Sequence, residues 1–529
     1  MQSITFLITS IVGLLCVLAP ARGGDSASSN LYVVHRIKAE AFEHSHVMDH
    51  LFQLTDVNGP RVTNSPGYRH AAEWCMKQLK EYGLENVHGE PFEFGKGWSF
   101  TSYSANMVEP APAPLVGFPL AWTPGTNGPV TAEAIYAVMK EEKDLEKFKG
   151  KLKGKIVLID EPRGLKVLGG VEGKRYSAAD LAERAAADTP RKRRQDREKK
   201  RAKRIKFSKK LFQFLNNEGV VAVFRTSYKG DAGLVAGSRY GSQKADMPTP
   251  PTAVALTEEH YNRLVRLLKK KIPVKIELNV KAEFQDNDLN PPNVIAEIPG
   301  RTKPDEVVML GGHLDSWQGG TGAVDNGAGT AVMMEAIRIL KALDLKMDRT
   351  VRLALWGGEE EGLLGSKAYV KQHFADPKTM KLKAEHKKLS AYYNFDNGSG
   401  KIRGIYLQNN DMLRPVFEAW LRPFHDLGAT VVTIRDTGGT DHLAFDAVGL
   451  PGFQFIQDPL DYNPVTHHTN ADTYDHAIEP DLMESAAIIA SFVYHTANYP
   501  DLLPRKPLPK PKPKTEDKKE ENKPAKKES

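Results

Sequence analysis

Five short stretches carry the side chains most able to do chemistry. They are Gly312-His313-Leu314-Asp315, Val324-Asp325-Asn326-Gly327, Gly358-Glu359-Glu360-Glu361-Gly362, Asn394-Phe395-Asp396-Asn397 and Thr466-His467-His468-Thr469, with Asp472-Thr473 just beyond. Imidazoles and carboxylates together form a nitrogen and oxygen donor set that suits Zn2+. Gathering this many acids in one place without a cation is electrostatically costly, so a metal is the natural resolution. Singly, each stretch is ordinary. A His-x-Asp is commonly a surface or satisfied core pair, and a run of glutamates is commonly a solvated helix start favoured by the macrodipole. Their common position, each just past a predicted strand or opening a helix, sets them apart.

Competing chemistries fit less well. Gly319, Gly320 and Gly322 are not followed by the Lys-Ser/Thr of a phosphate loop. Ser366, in Gly365-Ser366-Lys367, lacks the G-x-S-x-G elbow of a serine hydrolase.

The elements that must position these residues alternate from 293 onward. Strands are predicted at Val307–Leu310, Val351–Trp356, Leu389–Phe395 and Gly452–Ile456. Helices are predicted around Val332–Leu343, at Met412–Leu427 with proline interruptions, and at Met483–Ala497. This alternation predicts an α/β sandwich with a largely parallel central sheet, whose ligands sit at the strand C-terminal ends. Further upstream, residues 44–83 read as helical, broken at Asn58-Gly59-Pro60 and restarted at Ser65-Pro66-Gly67, and Leu84–Phe94 has strand character. Between about 125 and 285 short strands alternate with loops and a helix at Glu258–Lys270, which predicts a separate, mainly β insert. Inside it, 177–217 is rich in Ala, Arg and Lys and reads as a long helix or an excursion.

The chain has 529 residues and a formal charge of +7. Residues 191–210 and 505–529 carry net charges of +11 and +5, so the rest is acidic and a nucleic-acid-binding core is disfavoured. The basic run reads as a solvated face, with adhesion to an anionic surface as its functional alternative. The tail 504–529 is Pro, Lys and Glu and is expected to be extended and disordered. Residues 1–21 have the layout of a signal peptide, an apolar run before Ala19-Pro20-Ala21, although Lys and Arg are missing from the flank. Cleavage would leave no stable membrane span, place the protein outside the cytoplasm (secreted or periplasmic), and leave Cys75 as the one thiol, without an intrachain disulfide.

The ordered set H-x-D, D-N-G-A-G, E-E-x-G-L-x-G-S (Glu359 to Ser366), an Asp ending a strand, and H-T-x-x-D-T (His468 to Thr473) resembles the M28 family of zinc peptidases. Among them it is similar to the aminopeptidases and the plasma glutamate carboxypeptidase branch. The resemblance covers 32–125 and 285–500, a discontinuous catalytic domain. The insert at 126–284, with Gly154-Lys155-Ile156-Val157-Leu158-Ile159, resembles a protease-associated domain, and the excursion 177–217 departs from that pattern. The resemblance implies a three-layer sandwich with a mixed, mostly parallel sheet.

It also implies two Zn2+ ions per chain bridged by Asp325, one held by His313 and Asp396, the other by Glu360 and His468. The choice of His468 over His467 follows the family pattern. Glu359 matches the family's general base, Asp315 would orient His313 through its second ring nitrogen, and Asp441, in Gly439-Thr440-Asp441-His442, would support the site. The chemistry implied is hydrolysis of terminal peptide bonds of peptides or dipeptides by a metal-bridged hydroxide. Glu359 would take the water's proton and deliver it to the leaving amine. A glutaminyl-peptide cyclotransferase of the same fold, usually with one zinc, and a non-catalytic receptor-like ectodomain are the alternatives. Aminopeptidase, carboxypeptidase and dipeptidase readings stay open, as does a homodimer.

Overall fold

The computed structural model describes residues 29–165, 174–187 and 197–511, with the side chains of 197–201 excepted. The signal-peptide reading of 1–21, the start of the basic run and residues 512–529 lie outside it.

Two eight-stranded sheets organise the chain. The first orders Glu85–Pro91, Pro292–Ile298, Arg349–Trp356, Lys303–His313, Leu389–Asn394, Gly452–Gln457, Ile402–Tyr406 and Val431–Thr433. Its four central strands, from Arg349–Trp356 to Gly452–Gln457, run parallel, and antiparallel pairs appear toward both edges. The central strands read as near-continuous apolar runs because helices cover both faces. On one face Leu31–Glu43, Pro66–Glu81, Ala328–Ala342 and Glu479–Ala497 pack into the largest core, around Val308, Leu310, Leu353 and Phe492. On the other, Leu364–His373 and His442–Asp446 close over Trp356, Tyr369, Tyr392 and Phe445. The chain is therefore the three-layer α/β sandwich its sequence implied.

Local signals explain the helix starts. Ser65 caps Pro66–Glu81, its hydroxyl accepting from the Tyr68 amide at 3.2 Å, with Pro66 at the first helical position. Cys75 is buried within this helix, and burial raises its thiol pKa, as a packed rather than nucleophilic cysteine requires. Among the described residues no helix is long and apolar enough to cross a membrane.

The second sheet orders Ala113–Pro114, Gly97–Glu109, Lys275–Gln285, Val130–Tyr136, Ile156–Leu158, Ala222–Thr226, Thr252–Leu256 and Gly117–Pro119. Helices Glu142–Phe148, Arg197–Asn217 and Glu258–Lys269 accompany it. Here the boundary differs from the expected 126. Gly97–Glu109 pairs along its length with Lys275–Gln285, so the insert's sheet already begins at 97. The Pro- and Gly-rich stretch 110–128 connects strands within that sheet and does not separate two units. Among the described residues of the excursion 177–217 are two helices, Ala178–Ala185 and Arg197–Asn217.

The tail also departs from expectation at its root. Arg505 donates to the His386 carbonyl at 3.0 Å, Lys506 to the Gln408 carbonyl at 2.6 Å, and the Asn410 side-chain amide to the Pro504 carbonyl at 2.8 Å. These bonds dock 504–506 against the unit built on the first sheet.

Candidate active site

The five stretches meet at the C-terminal ends of the parallel strands. His313 ends Lys303–His313, the turn 357–361 follows Arg349–Trp356, Asp396 follows Leu389–Asn394, and the loop 458–472 follows Gly452–Gln457. Gly358 takes a positive φ of 66° in the turn that presents Glu359, a conformation suited to glycine.

Two donor groups share Asp325. His313, Asp325 and Asp396 place one ligand atom each within 4.8 Å of one another, and so do Asp325, His467 and His468. His313 Nε2 lies 3.4 Å from Asp325 Oδ1 and 3.5 Å from Asp396 Oδ1. His468 Nε2 lies 3.0 Å from Glu360 Oε2 and 3.3 Å from Asp325 Oδ2. His467 Nε2 is farther from Asp325 Oδ2, at 3.8 Å, and its ring stacks on that of His468 with centroids 3.8 Å apart. The expected ligands His313, Asp325, Glu360, Asp396 and His468 thus converge, and His467 stands beside them.

The residues fit zinc on two grounds. Buried Asp325 Oδ2 and Glu360 Oε1 accept no hydrogen bond from the described residues, which is costly unless something positive meets them. The electrostatics agree. Burial, then the nearby acids, pushes the Glu359 and Glu360 carboxyls well above their usual range, with His313 opposing. Burial also pulls Asp325 upward, but the His313 hydrogen bond and the His467 and His468 charges hold it below the usual carboxylate range. A cation would relieve the whole cluster.

The surrounding contacts are specific. His313 Nδ1 meets the Asp315 backbone carbonyl at 2.9 Å, closer than the Asp315 carboxylate at 3.5 Å. That carboxylate instead accepts from Thr63 Oγ1 at 2.8 Å and from the Glu359 and Glu360 amides at 3.3 Å each, so it shapes the turn bearing both glutamates. Asp441, buried, accepts from Ser366 Oγ at 2.5 Å, and burial pushes its pKa up to about 7. Asp472 receives the Val324 amide at 2.6 Å and the Asp325 amide at 3.3 Å, fixing the backbone of the shared aspartate.

Several participants carry no sequence motif. Buried Arg61 donates to the carbonyls of Leu54, Leu314, Thr321 and Gly322 at 2.6–2.9 Å, tying together the loops under the site. Tyr462 is buried with its ring centroid 4.9 Å from that of His467, and burial, then the charges of Asp325, Asp396, Glu360 and Glu359, raises the pKa of its phenol. Tyr228 and Lys229 come from the insert. The phenol of Tyr228 sits 3.1 Å from His468 Nδ1, and Lys229 Nζ donates to the Asn463 carbonyl at 2.7 Å and lies 3.4 Å from His467 Nδ1. Their one sequence signal is position, within the insert's expected alternation of short strands and loops. A cavity of about 870 Å³ opens beside His468 and Glu361 and runs under the insert, past Tyr228, Arg239, Tyr240 and Phe212. That volume suits a ligand larger than one side chain.

Residues 293–493 match peptidase family M28. The chain is 28% identical to carboxypeptidase Q of Mus musculus over 458 residues, covering 85% of this chain and 86% of that protein. It is 28% identical to aminopeptidase YwaD of Bacillus subtilis over 202 residues, covering 37% of this chain and 42% of that protein. Among solved structures, a peptidase M28 precursor from Shewanella amazonensis superposes with a TM-score of 0.65 at 28% identity, covering 90% of this chain and 98% of that one. A zinc aminopeptidase from Bacillus subtilis shares the fold, with a TM-score of 0.54 at 20% identity, covering 86% and 95%.

Proposed function

We propose that this chain is a member of peptidase family M28, a zinc exopeptidase acting on peptides, and that it works outside the cytoplasm with two zinc ions and Glu359 as general base. The observation that carries the reading is the sharing of Asp325 between two donor groups, His313 with Asp396 on one side and the histidine pair with Glu360 on the other. A carboxylate has two oxygens and can face two cations, whereas an imidazole binds once. In this reading His313 and Asp396 would hold one ion and Glu360 and His468 the other, with Asp325 shared between the two donor sets.

When bound, the ions would lower the pKa of water toward neutrality and polarise the scissile carbonyl. Glu359, next to the ligand Glu360 yet outside the ligand set, takes the water's proton and passes it to the departing amine. Asp315 holds the turn that aims Glu359, and Asp441 supports the Ser366 side of the pocket. The insert on the second sheet, resembling a protease-associated domain, roofs the cavity that receives the rest of the peptide. Export rests on the leader-like residues 1–21.

The test is Glu359→Gln in the purified full chain. Zinc content should stay at two per chain while kcat falls by roughly 10²–10⁴-fold. Retained peptide hydrolysis would remove Glu359 as base, and one zinc per wild-type chain would remove the paired centre and favour the cyclotransferase reading.

A further inference from the structure

The segment 174–187 lies in the insert by sequence but packs against the catalytic unit. Leu181, on the helix Ala178–Ala185, is buried with Val431 and Ile456 of the first sheet. Just before the helix, the Lys174 amide bonds the Leu460 carbonyl at 3.0 Å and the Tyr176 amide bonds Asp458 Oδ1 at 2.9 Å. Between them Arg175 forks onto two acids. Its Nη1 donates to Asp481 Oδ2 at 2.7 Å and to Asp458 Oδ2 at 3.1 Å, and its Nη2 to Asp481 Oδ1 at 3.2 Å. The Asp458 side chain is fully buried and that of Asp481 nearly so.

Those two acids root the loops that carry metal ligands. Asp458 opens the loop leading to Tyr462, His467, His468 and Asp472, and its amide bonds the Lys401 carbonyl at 3.0 Å. Asp481 Oδ2 accepts the Lys401 amide at 3.1 Å, at the end of the loop that starts with Asp396. The loops are in close contact, since a Cβ on Gly400 would clash with the Asp458 carbonyl oxygen. Asp458 has a second cation, Arg403 at 3.1 Å. Asp481 takes its guanidinium from Arg175.

We propose that Arg175 is a positioning residue, and that the strap 174–187 exists to lock the Asp396 and His468 loops in the spacing that retains zinc. The proposal rests on the zinc reading above. A bidentate guanidinium holds both carboxylates in one plane, which an ammonium cannot do. Without it, a buried aspartate faces an incomplete partner set, and both loops gain freedom exactly where ligand spacing matters.

The experiment measures zinc release from the purified full-length chain into a chromogenic chelator, alongside kcat and KM, for wild type, R175Q, R175K and R184A. Arg184 lies on the same strap, stacks over the Tyr176 ring at 4.3 Å and donates to the Tyr406 phenol of the first sheet at 3.3 Å, without touching either acid. R175Q should release zinc roughly tenfold faster or more, with kcat falling more than KM rises. R175K should fall between it and wild type, and R184A, which loosens the strap without freeing either acid, should release zinc more slowly than R175Q. A folded R175Q that releases zinc at the wild-type rate overturns the proposal. Should R175Q fail to fold, R175K decides, and its matching wild type overturns the proposal equally. A wild-type count of one zinc would refute the paired centre separately, because release of that single ion still reads out the strap.

Discussion

The phenol oxygen of Tyr228 lies 3.1 Å from Nδ1 of His468. This contact joins the insert to the imidazole whose Nε2 faces Glu360 and Asp325. A phenol that accepts the Nδ1 proton fixes the tautomer in which Nε2 is free to bind a cation. Tyr228→Phe keeps the ring and removes the acceptor, so zinc affinity should fall by roughly tenfold in chelator competition. Unchanged affinity would show that the backbone alone sets His468.

Asp315 holds the glutamate turn more closely than it holds His313. Its carboxylate gathers the Thr63 hydroxyl and two backbone amides, while the His313 ring relies on the Asp315 backbone carbonyl. An amide in its place would direct N–H toward another donor. Asp315→Asn should therefore lower kcat by roughly 10–100-fold while zinc binding changes less. Steady-state kinetics and elemental analysis on one preparation separate the two, and a larger loss of zinc than of kcat would return Asp315 to the role of His313 orienter.

Removing zinc should cost stability as well as activity. Without cations the site gathers Asp325 and Asp396 around His313 and Asp325 and Glu360 around His468, with buried oxygens on Asp325 and Glu360 that accept no hydrogen bond from the described residues. Binding to the folded state alone stabilises by about 2.7 kcal/mol at a free zinc concentration 100 times Kd. Thermal unfolding of the chelator-treated chain should shift upward on zinc addition and stay put with magnesium, which prefers all-oxygen sites. An equal response to magnesium would argue against a site built on histidine nitrogen.

The central strands and the donor set were legible because both are local. Val351–Trp356 and Leu389–Phe395 are apolar runs, and His313, Asp325, Glu359, Glu360, Asp396 and His468 each follow a strand or open a helix. What the sequence concealed depends on contacts across long separations. Tyr228 reaches His468 across 240 residues, and Arg175 reaches Asp481 across 306. Nothing in a tyrosine after a short strand, or an arginine in a basic stretch, marks such a partner. Gly97–Glu109 was placed with the wrong unit for a related reason. Its alternation fits either sheet, and its pairing with Lys275–Gln285 is what decides. For Asp315 the type of residue was informative, but the atom that meets the ring is a backbone oxygen that any residue supplies.

Far from the site, His50 predicts how the fold responds to acid. It is buried, its Nε2 lies 2.6 Å from the Tyr82 phenol, and its Nδ1 makes no hydrogen bond with the described residues. Burial, then the charge of His46, lowers its pKa to about 3. In the unfolded chain the imidazole takes a proton near its ordinary pKa of about 6.5, while the folded chain keeps it neutral. The stability it contributes is thus complete above that pH and is lost as pH falls toward 3, by at most about 1.4 kcal/mol per pH unit. His50→Gln removes this titration but also costs packing, so the variant should be less stable than wild type at pH 7.5. The difference should narrow steadily at pH 6, 5 and 4 in urea unfolding of zinc-stripped protein. Parallel curves for the two proteins would mean that His50 is protonated in the folded state and that the acid response arises elsewhere.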